Sequence, residues 1–188
     1  MRFVLLVFLL FFTGCVARLT PISNAINIYD AYSISRDQRG IYSITKDKII
    51  QTKIQSKILF DKDLSFMDIE IESFYGDVYL IGLVKDNEMI KKIVQIAKTT
   101  DGVKKIYTYL KIKKDEYPCN GFNILANLKR ELFSDSSVEG TNVRVSVVGC
   151  DVVFSGVIAD AKQEEHAIWY ARHTQGVADV YSFLKILD

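Results

Sequence analysis

From Thr45 onward the apolar positions change period in a fixed order. Ile50, Ile54, Ile58 and Leu59 recur at the spacing of one helix face, and Lys48, Lys53 and Lys57 fall away from it. Thr45 stands where it can cap that helix, and Asp47 suits its positive end. Phe66 to Phe74 then alternates, with Met67, Ile69, Ile71 and Ser73 against Asp68, Glu70 and Glu72. That two-residue period predicts a strand with one wet face. Tyr75-Gly76-Asp77 predicts a tight turn, with glycine and aspartate tolerating positive φ, into a second strand from Val78 to Val84. Gly82 has no side chain to pack there, so another backbone or a helix can come close. Lys85 to Thr100 returns to helical spacing, capped by Asp86, with Met89, Ile90, Ile93, Ile96 and Ala97 inward and Asp101-Gly102 as its stop. Val103 to Ile112 reads as a third strand.

The same order is then written again. Phe122, Leu125, Leu128, Leu132 and Phe133 supply a helix face, and Val143, Val145 and Val147 alternate along a strand. Val152 to Ile158, a helix from Asp160 to Thr174, the stop Gln175-Gly176 and a strand from Val177 to Leu187 complete it. GDVYLIGLV (Gly76 to Val84) is matched by CDVVFSGVI (Cys150 to Ile158). Asp77 pairs with Asp151, Gly82 with Gly156 and Gly102 with Gly176, each 74 positions apart. A constant spacing across a strand, a turn and a helix stop argues for duplication of a whole folded unit. The predicted class is α+β: two tandem α-β-β-α-β units over 44–115 and 116–188, each a three-stranded mixed sheet with two helices on one face. Pro118 marks the boundary with almost no linker, so the units should pack rather than swing freely.

Ahead of the units, Phe3 to Phe12 carries no charge and follows the basic Arg2. The run is shorter than the roughly 20 residues of a membrane-spanning helix, and residues 1–14 read as a secretory signal. Its end, Phe12-Thr13-Gly14-Cys15, resembles the lipobox of bacterial lipoproteins. That resemblance implies cleavage before Cys15, a diacylglycerol on its sulfur and an acylated amino group, a stable anchor where one chain binds only marginally. The other reading is an ordinary signal whose cysteine lies near the cut. Val16 after the cysteine is compatible with outer-membrane sorting. Residues 15–43, punctuated by Pro21, Ser23, Asn24, Asn27, Ser33, Ser35 and Gly40 without a sustained period, read as a tether.

A hydrophobic content of 49% fits an exported, folded chain, and a net charge of +1 gives no basic footprint for nucleic acid. The charge is unevenly placed: 14 basic against 12 acidic residues from Thr45 to Glu116, then 6 against 9 from Tyr117 to Asp188. His166 and His173 are seven positions apart on one helix, whereas two helical imidazoles on one metal sit three or four apart, so both read as solvent-facing. There is no GxSxG, Walker or GxGxxG sequence, Glu164-Glu165 falls on a wet helix face, and no nucleophile stands with a base. The sequence predicts no catalytic residue, no metal site and no cofactor.

Besides Cys15 there are Cys119 and Cys150, an even pair in an oxidising compartment. In the predicted order the first strand of the second unit runs back along its first helix, returning the turn at Cys150 to the helix start at Cys119. This predicts a structural disulfide rather than two separate thiols, closing about 30 residues for on the order of 3 kcal/mol. Trp169 is the counterpart of Gln95, and His166 of Lys92, both on a polar helix face of the first unit. Trp169 is therefore expected at the surface, for a membrane or a partner protein, with Tyr170 and Phe122 extending the patch. The alternative is that Trp169 packs on the first unit across the short linker.

The paired hairpins, with Gly102-Val103 and Gly176-Val177 entering the last strands, resemble two BON domains; behind a lipobox, the whole resembles the dual-BON periplasmic lipoproteins of Gram-negative bacteria. The resemblance implies a non-enzymatic protein on the periplasmic face of the outer membrane, binding phospholipid and keeping that membrane intact. Gly76, Gly82, Gly102, Gly156 and Gly176 read as structural glycines, at turns, close approaches and helix stops of the two copies; Cys150 stands where the family has glycine. Partners would be the membrane itself through the N-terminal lipid, anionic phospholipid, or envelope proteins. The competing reading is an interaction scaffold that touches lipid only through Cys15.

Overall fold

A computed structural model of the chain describes residues 41–64, 68–135, 138 and 142–186. The leader, Cys15, nearly all of the tether and Phe66-Met67 lie outside these residues. The described elements are α1 (Ile41–Leu59), β1 (Asp68–Phe74), β2 (Asp77–Val84), α2 (Asn87–Lys98) and β3 (Lys105–Ile112), then α3 (Gly121–Ser134), β4 (Asn142–Val148), β5 (Asp151–Ile158), α4 (Ala161–His173) and β6 (Val180–Ile186). The α-β-β-α-β order is thus repeated.

Each unit has its own sheet. In the first, β1 pairs antiparallel with β2 and β2 parallel with β3; in the second, β4, β5 and β6 do the same. The registers match as well, Ile69 facing Gly82 and Val143 facing Gly156. A Cβ on Gly82 would lie 2.0 Å from the Asp68 carbonyl oxygen, so the backbone that this glycine admits is that of β1.

The helical stripes cover one face of each sheet. Ile50, Ile54, Ile58, Ile93 and Ala97 pack on Val78, Leu80 and Val84. Ile124, Leu128, Leu132, Ala167 and Ala171 pack on Val152, Phe154 and Ile158. Phe122 and Phe133, expected on the α3 stripe, are instead 47% and 46% exposed, and Ile124 takes the inner position. At 3.6 residues per turn, positions 124, 128 and 132 share a face, and 122 and 133 fall roughly 120–140° around the helix from its centre.

Three local expectations need correction. The first helix begins at Ile41, so Thr45 lies inside it rather than capping it; no Gly or Pro interrupts the stretch from Ile41 to Leu59. Asp47 is buried in the fold instead of serving the helix end. At the hairpin the residues with positive φ are Tyr75 (55°) and Gly76 (86°), while Asp77 already belongs to β2. The other boundaries agree within a few residues, with Asp86 and Asp160 capping α2 and α4 through bonds to Met89 N–H and Gln163 N–H.

The second faces of the sheets meet each other. Side chains alternate along a strand, so Tyr79 and Ile81 of β2, and Val153 and Val157 of β5, point away from their helices. They form one core with Phe74 and Val148, joined by Tyr107, Tyr109 and Phe183. The order of layers is helices, sheet, sheet, helices. The wet face expected for β1 is only partly wet: Glu70 is exposed, yet its carboxylate accepts a hydrogen bond from Ser146 Oγ of the other unit.

Candidate functional site

The seam between the sheets repeats itself about a pseudo-twofold axis. Lys185 of β6 pairs with Asp77 of β2, and Lys111 of β3 pairs with Asp151 of β5. Asp77 and Asp151 are repeat counterparts, as are Lys111 and Lys185. The rings follow the same exchange: Tyr109 meets Tyr181 at 4.5 Å between centroids, and Tyr107 meets Phe183 at 5.9 Å. Tyr79 stacks on Tyr107 at 5.1 Å, and burial pushes its hydroxyl up to about 12. Desolvation works against the charge on Lys185, but its hydrogen bonds to Asp77 and Tyr107 and the charges of Tyr79 and Asp77 together outweigh that, and its pKa is raised; for Lys111 the bond to Asp151 is the main cause of the rise. A seam of aromatic pairs and reciprocal ion pairs uses the sheet faces to join the units, leaving the helices as the outer surfaces.

The corner where each unit's first helix meets its hairpin turn is closed in two different ways. In the first unit, Asp47 Oδ1 accepts from Ser73 Oγ and Gly76 N–H, and Oδ2 accepts from Tyr75 N–H, each at 2.8 Å. In the second, Cys119 and Cys150 are disulfide-bonded, with their Cα atoms 5.8 Å apart. Cys150 is the counterpart of Gly76, so both devices grip the same turn. Sequence reading found the cysteines but missed Asp47. Its only signal was a lone acid two positions beyond the counterpart of Cys119.

On α4, Trp169 is 56% exposed. Its ring meets that of Tyr170 edge-on at 5.2 Å and stacks on His173 at 4.2 Å, all within the second unit. His173 Nδ1 lies 2.7 Å from the Trp169 carbonyl, and Arg172 adjoins it in sequence. Phe122 lies elsewhere, in a hollow with Tyr117, Cys119 and Leu125 at the start of α3. His166 reaches Asp135 at 3.3 Å. The same bridge in the first unit joins Lys92 to Asp61 at 2.8 Å and to Asp63 at 2.9 Å. That contact holds the Asp61 carboxyl below its ordinary range and raises Lys92. The two histidines are thus apart in role as well as in spacing: one ends a helix bridge, the other backs the indole.

The family model for the BON domain matches residues 46–114 and, again, 120–188. The chain belongs to the BON-domain family. Its two BON units account for every described strand and for all but the start of α1. Similarity to the outer membrane lipoprotein DolP of Haemophilus influenzae runs to 24% identity over 189 residues, covering 95% of this chain and 92% of that protein. An uncharacterised protein from the gshII 5′ region of Anaplasma centrale is 20% identical over 91 residues, 48% of this chain and 60% of its own. Among solved structures, CdsD, a structural protein of the type III secretion system of Chlamydia trachomatis, matches with a TM-score of 0.31 and 14% identity. That match covers 74% of this BON chain and 63% of the CdsD chain, so the chain spans less than two thirds of it.

Proposed function

We propose that this BON protein is lipid-anchored at the periplasmic face of the outer membrane, binds phospholipid there and supports the integrity of that membrane, without catalysis. The observation that carries the reading is the exposed face of α4. With both sheets closed on each other, the outer surfaces are helical, and Trp169 stands on one of them beside Tyr170, His173 and Arg172. An indole with an apolar body and a polar edge suits the membrane interface, and neighbouring cations suit phosphate. Similarity over most of its length to a protein named an outer membrane lipoprotein supports the location, and Cys15 would carry the anchor.

Liposome sedimentation of the chain from Val16 onward tests the reading. The expected result is binding to vesicles containing phosphatidylglycerol without any acyl anchor, with a shift in Trp169 emission. No binding by the anchorless chain would leave the second reading, an envelope scaffold that contacts lipid only through Cys15. One observation favours that alternative: Leu59 and its repeat counterpart Phe133, at the ends of α1 and α3, are 60% and 46% exposed, with Phe60 beside the former at 86%. Apolar side chains at equivalent places in both units would suit a protein partner.

A further inference from the structure

The corner that Asp47 holds encloses a hollow of about 480 Å³, between the start of α1, the β1–β2 turn and the loop after α2. Tyr42, Ile49 and Tyr75 line it with apolar surface yet remain 71%, 49% and 39% exposed. Lys46 and Lys104 flank them, and Lys46 Nζ rests over the Tyr42 ring at 4.2 Å. Asp101 is the exposed acid in the lining, Asp47 being engaged by the turn. Two cations against one exposed anion, above a wall of tyrosine and isoleucine, favour a ligand that is anionic at one end and apolar at the other.

The fold does not require this lining, because the second unit does without it. The counterparts of Tyr42, Ile49 and Tyr75 are Glu116, Asn123 and Gly149, and those of Lys46 and Lys104 are Asn120 and Ala178. Tyr117 fills the place that a side chain at Gly149 would take: a Cβ there would meet its Cε1 at 2.3 Å. The same backbone therefore carries an aromatic and basic lining in one copy and neither in the other. The hollow also lies where the N-terminal residues join the fold, since Tyr42 follows Ile41 directly. The segment from Cys15 to Ile41 is about 25 residues, a reach of at most on the order of 90 Å when extended.

We propose that this hollow is a phospholipid head-group site, with Lys46 and Lys104 on the phosphate and Tyr42, Ile49 and Tyr75 against the glycerol and upper acyl carbons. The proposal rests on the lipid-binding reading above and adds to it a site in the first unit, independent of α4. Long lysine stems lie along apolar surface while their charges reach the head-group layer, and tyrosine favours the same depth.

The test compares the chain from Val16 onward with its Lys46→Gln/Lys104→Gln, Tyr42→Ser, Trp169→Gln and Lys91→Gln/Lys98→Gln forms. Each is sedimented with phosphatidylcholine vesicles with and without phosphatidylglycerol. All the substituted side chains are exposed, so unchanged melting curves provide the folding control. The expected result is a fall of about tenfold or more in affinity for the anionic vesicles in the Lys46/Lys104 form, from the loss of two cations at the surface. Tyr42→Ser should weaken binding to both vesicle types, whereas the Lys91/Lys98 control, with the same charge change on α2, should bind nearly as the parent does. If the parent binds and the Lys46/Lys104 form binds equally well, the hollow is not the site although the lipid reading stands. An equal loss in the Lys91/Lys98 form would also overturn the site, since charge alone would then explain it. If the parent binds neither vesicle, the lipid reading itself fails and the site with it.

Discussion

The two corners that join first helix to hairpin turn use the same backbone and different chemistry. One depends on a buried carboxylate accepting three hydrogen bonds; the other is a covalent bond. Hydrogen bonds to Asp47 satisfy the amides of a turn in which both central residues have positive φ, and they leave the Tyr75 side chain projecting beside a hollow. The disulfide needs no acceptor at the turn, and Tyr117 occupies the place that a side chain at Gly149 would take. A duplicated fold therefore tolerates either device, and the residues around each decide what lines the hollow beside it.

The largest expected effect is on the covalent corner. Replacing both Cys119 and Cys150 by serine should lower stability by about 3 kcal/mol, read by urea unfolding, and a reductant should then have no further effect. Next comes Asp47→Ala, which removes the acceptor of the Gly76 and Tyr75 amides and should cost about 2–3 kcal/mol. Asp47→Asn should cost about 1 kcal/mol less than alanine, because Oδ1 keeps two of the bonds while the Tyr75 amide loses its acceptor. If asparagine and alanine cost the same, the carboxylate does not hold the turn as described.

A third comparison concerns the seam that holds the copies together. A lysine whose folded pKa is raised contributes stability that is fully present below its unfolded value, near 10.4, and is lost as pH rises through the raised one. Stability should thus fall above about pH 10.5 as Lys185 and Lys111 lose their protons. A Lys185→Met/Lys111→Met form should show less of that alkaline fall in a melting series. The smallest effect belongs to Tyr75→Gly, which gives the first turn the residue found at Gly149. Relief of the left-handed φ and loss of a half-exposed side chain nearly offset, leaving a change within about 1 kcal/mol in thermal denaturation.

Much of this was legible in the chain. Ile69 and Ile71 against Asp68 and Glu70 announce a strand, and Ile50, Ile54 and Ile58 a helix face, because such periods report only on local geometry. Phe122 and Phe133 misled because large apolar side chains were read as inward, when the phase of Ile124, Leu128 and Leu132 was the better guide. Asp47 misled in the opposite way: an acid near a helix start has a ready local explanation, and its true partners come from a turn brought back by β1. The face of Glu70 looked wet because nothing in one unit reveals that another sheet will cover it.

The sequence by itself determined that there are two copies of one unit, which isoleucines of α1 and α2 point inward, and which thiols the topology would bring together. Those facts follow from spacing along the chain and from one repeat compared with another. Tertiary structure alone decided that the sheets meet face to face, that Asp77 finds Lys185 while Lys111 finds Asp151, and that Lys46 and Lys104 flank one hollow. Each of these joins residues far apart in sequence, through a rotation of one packed body against another or a return of the chain across the sheet, and no local period records either.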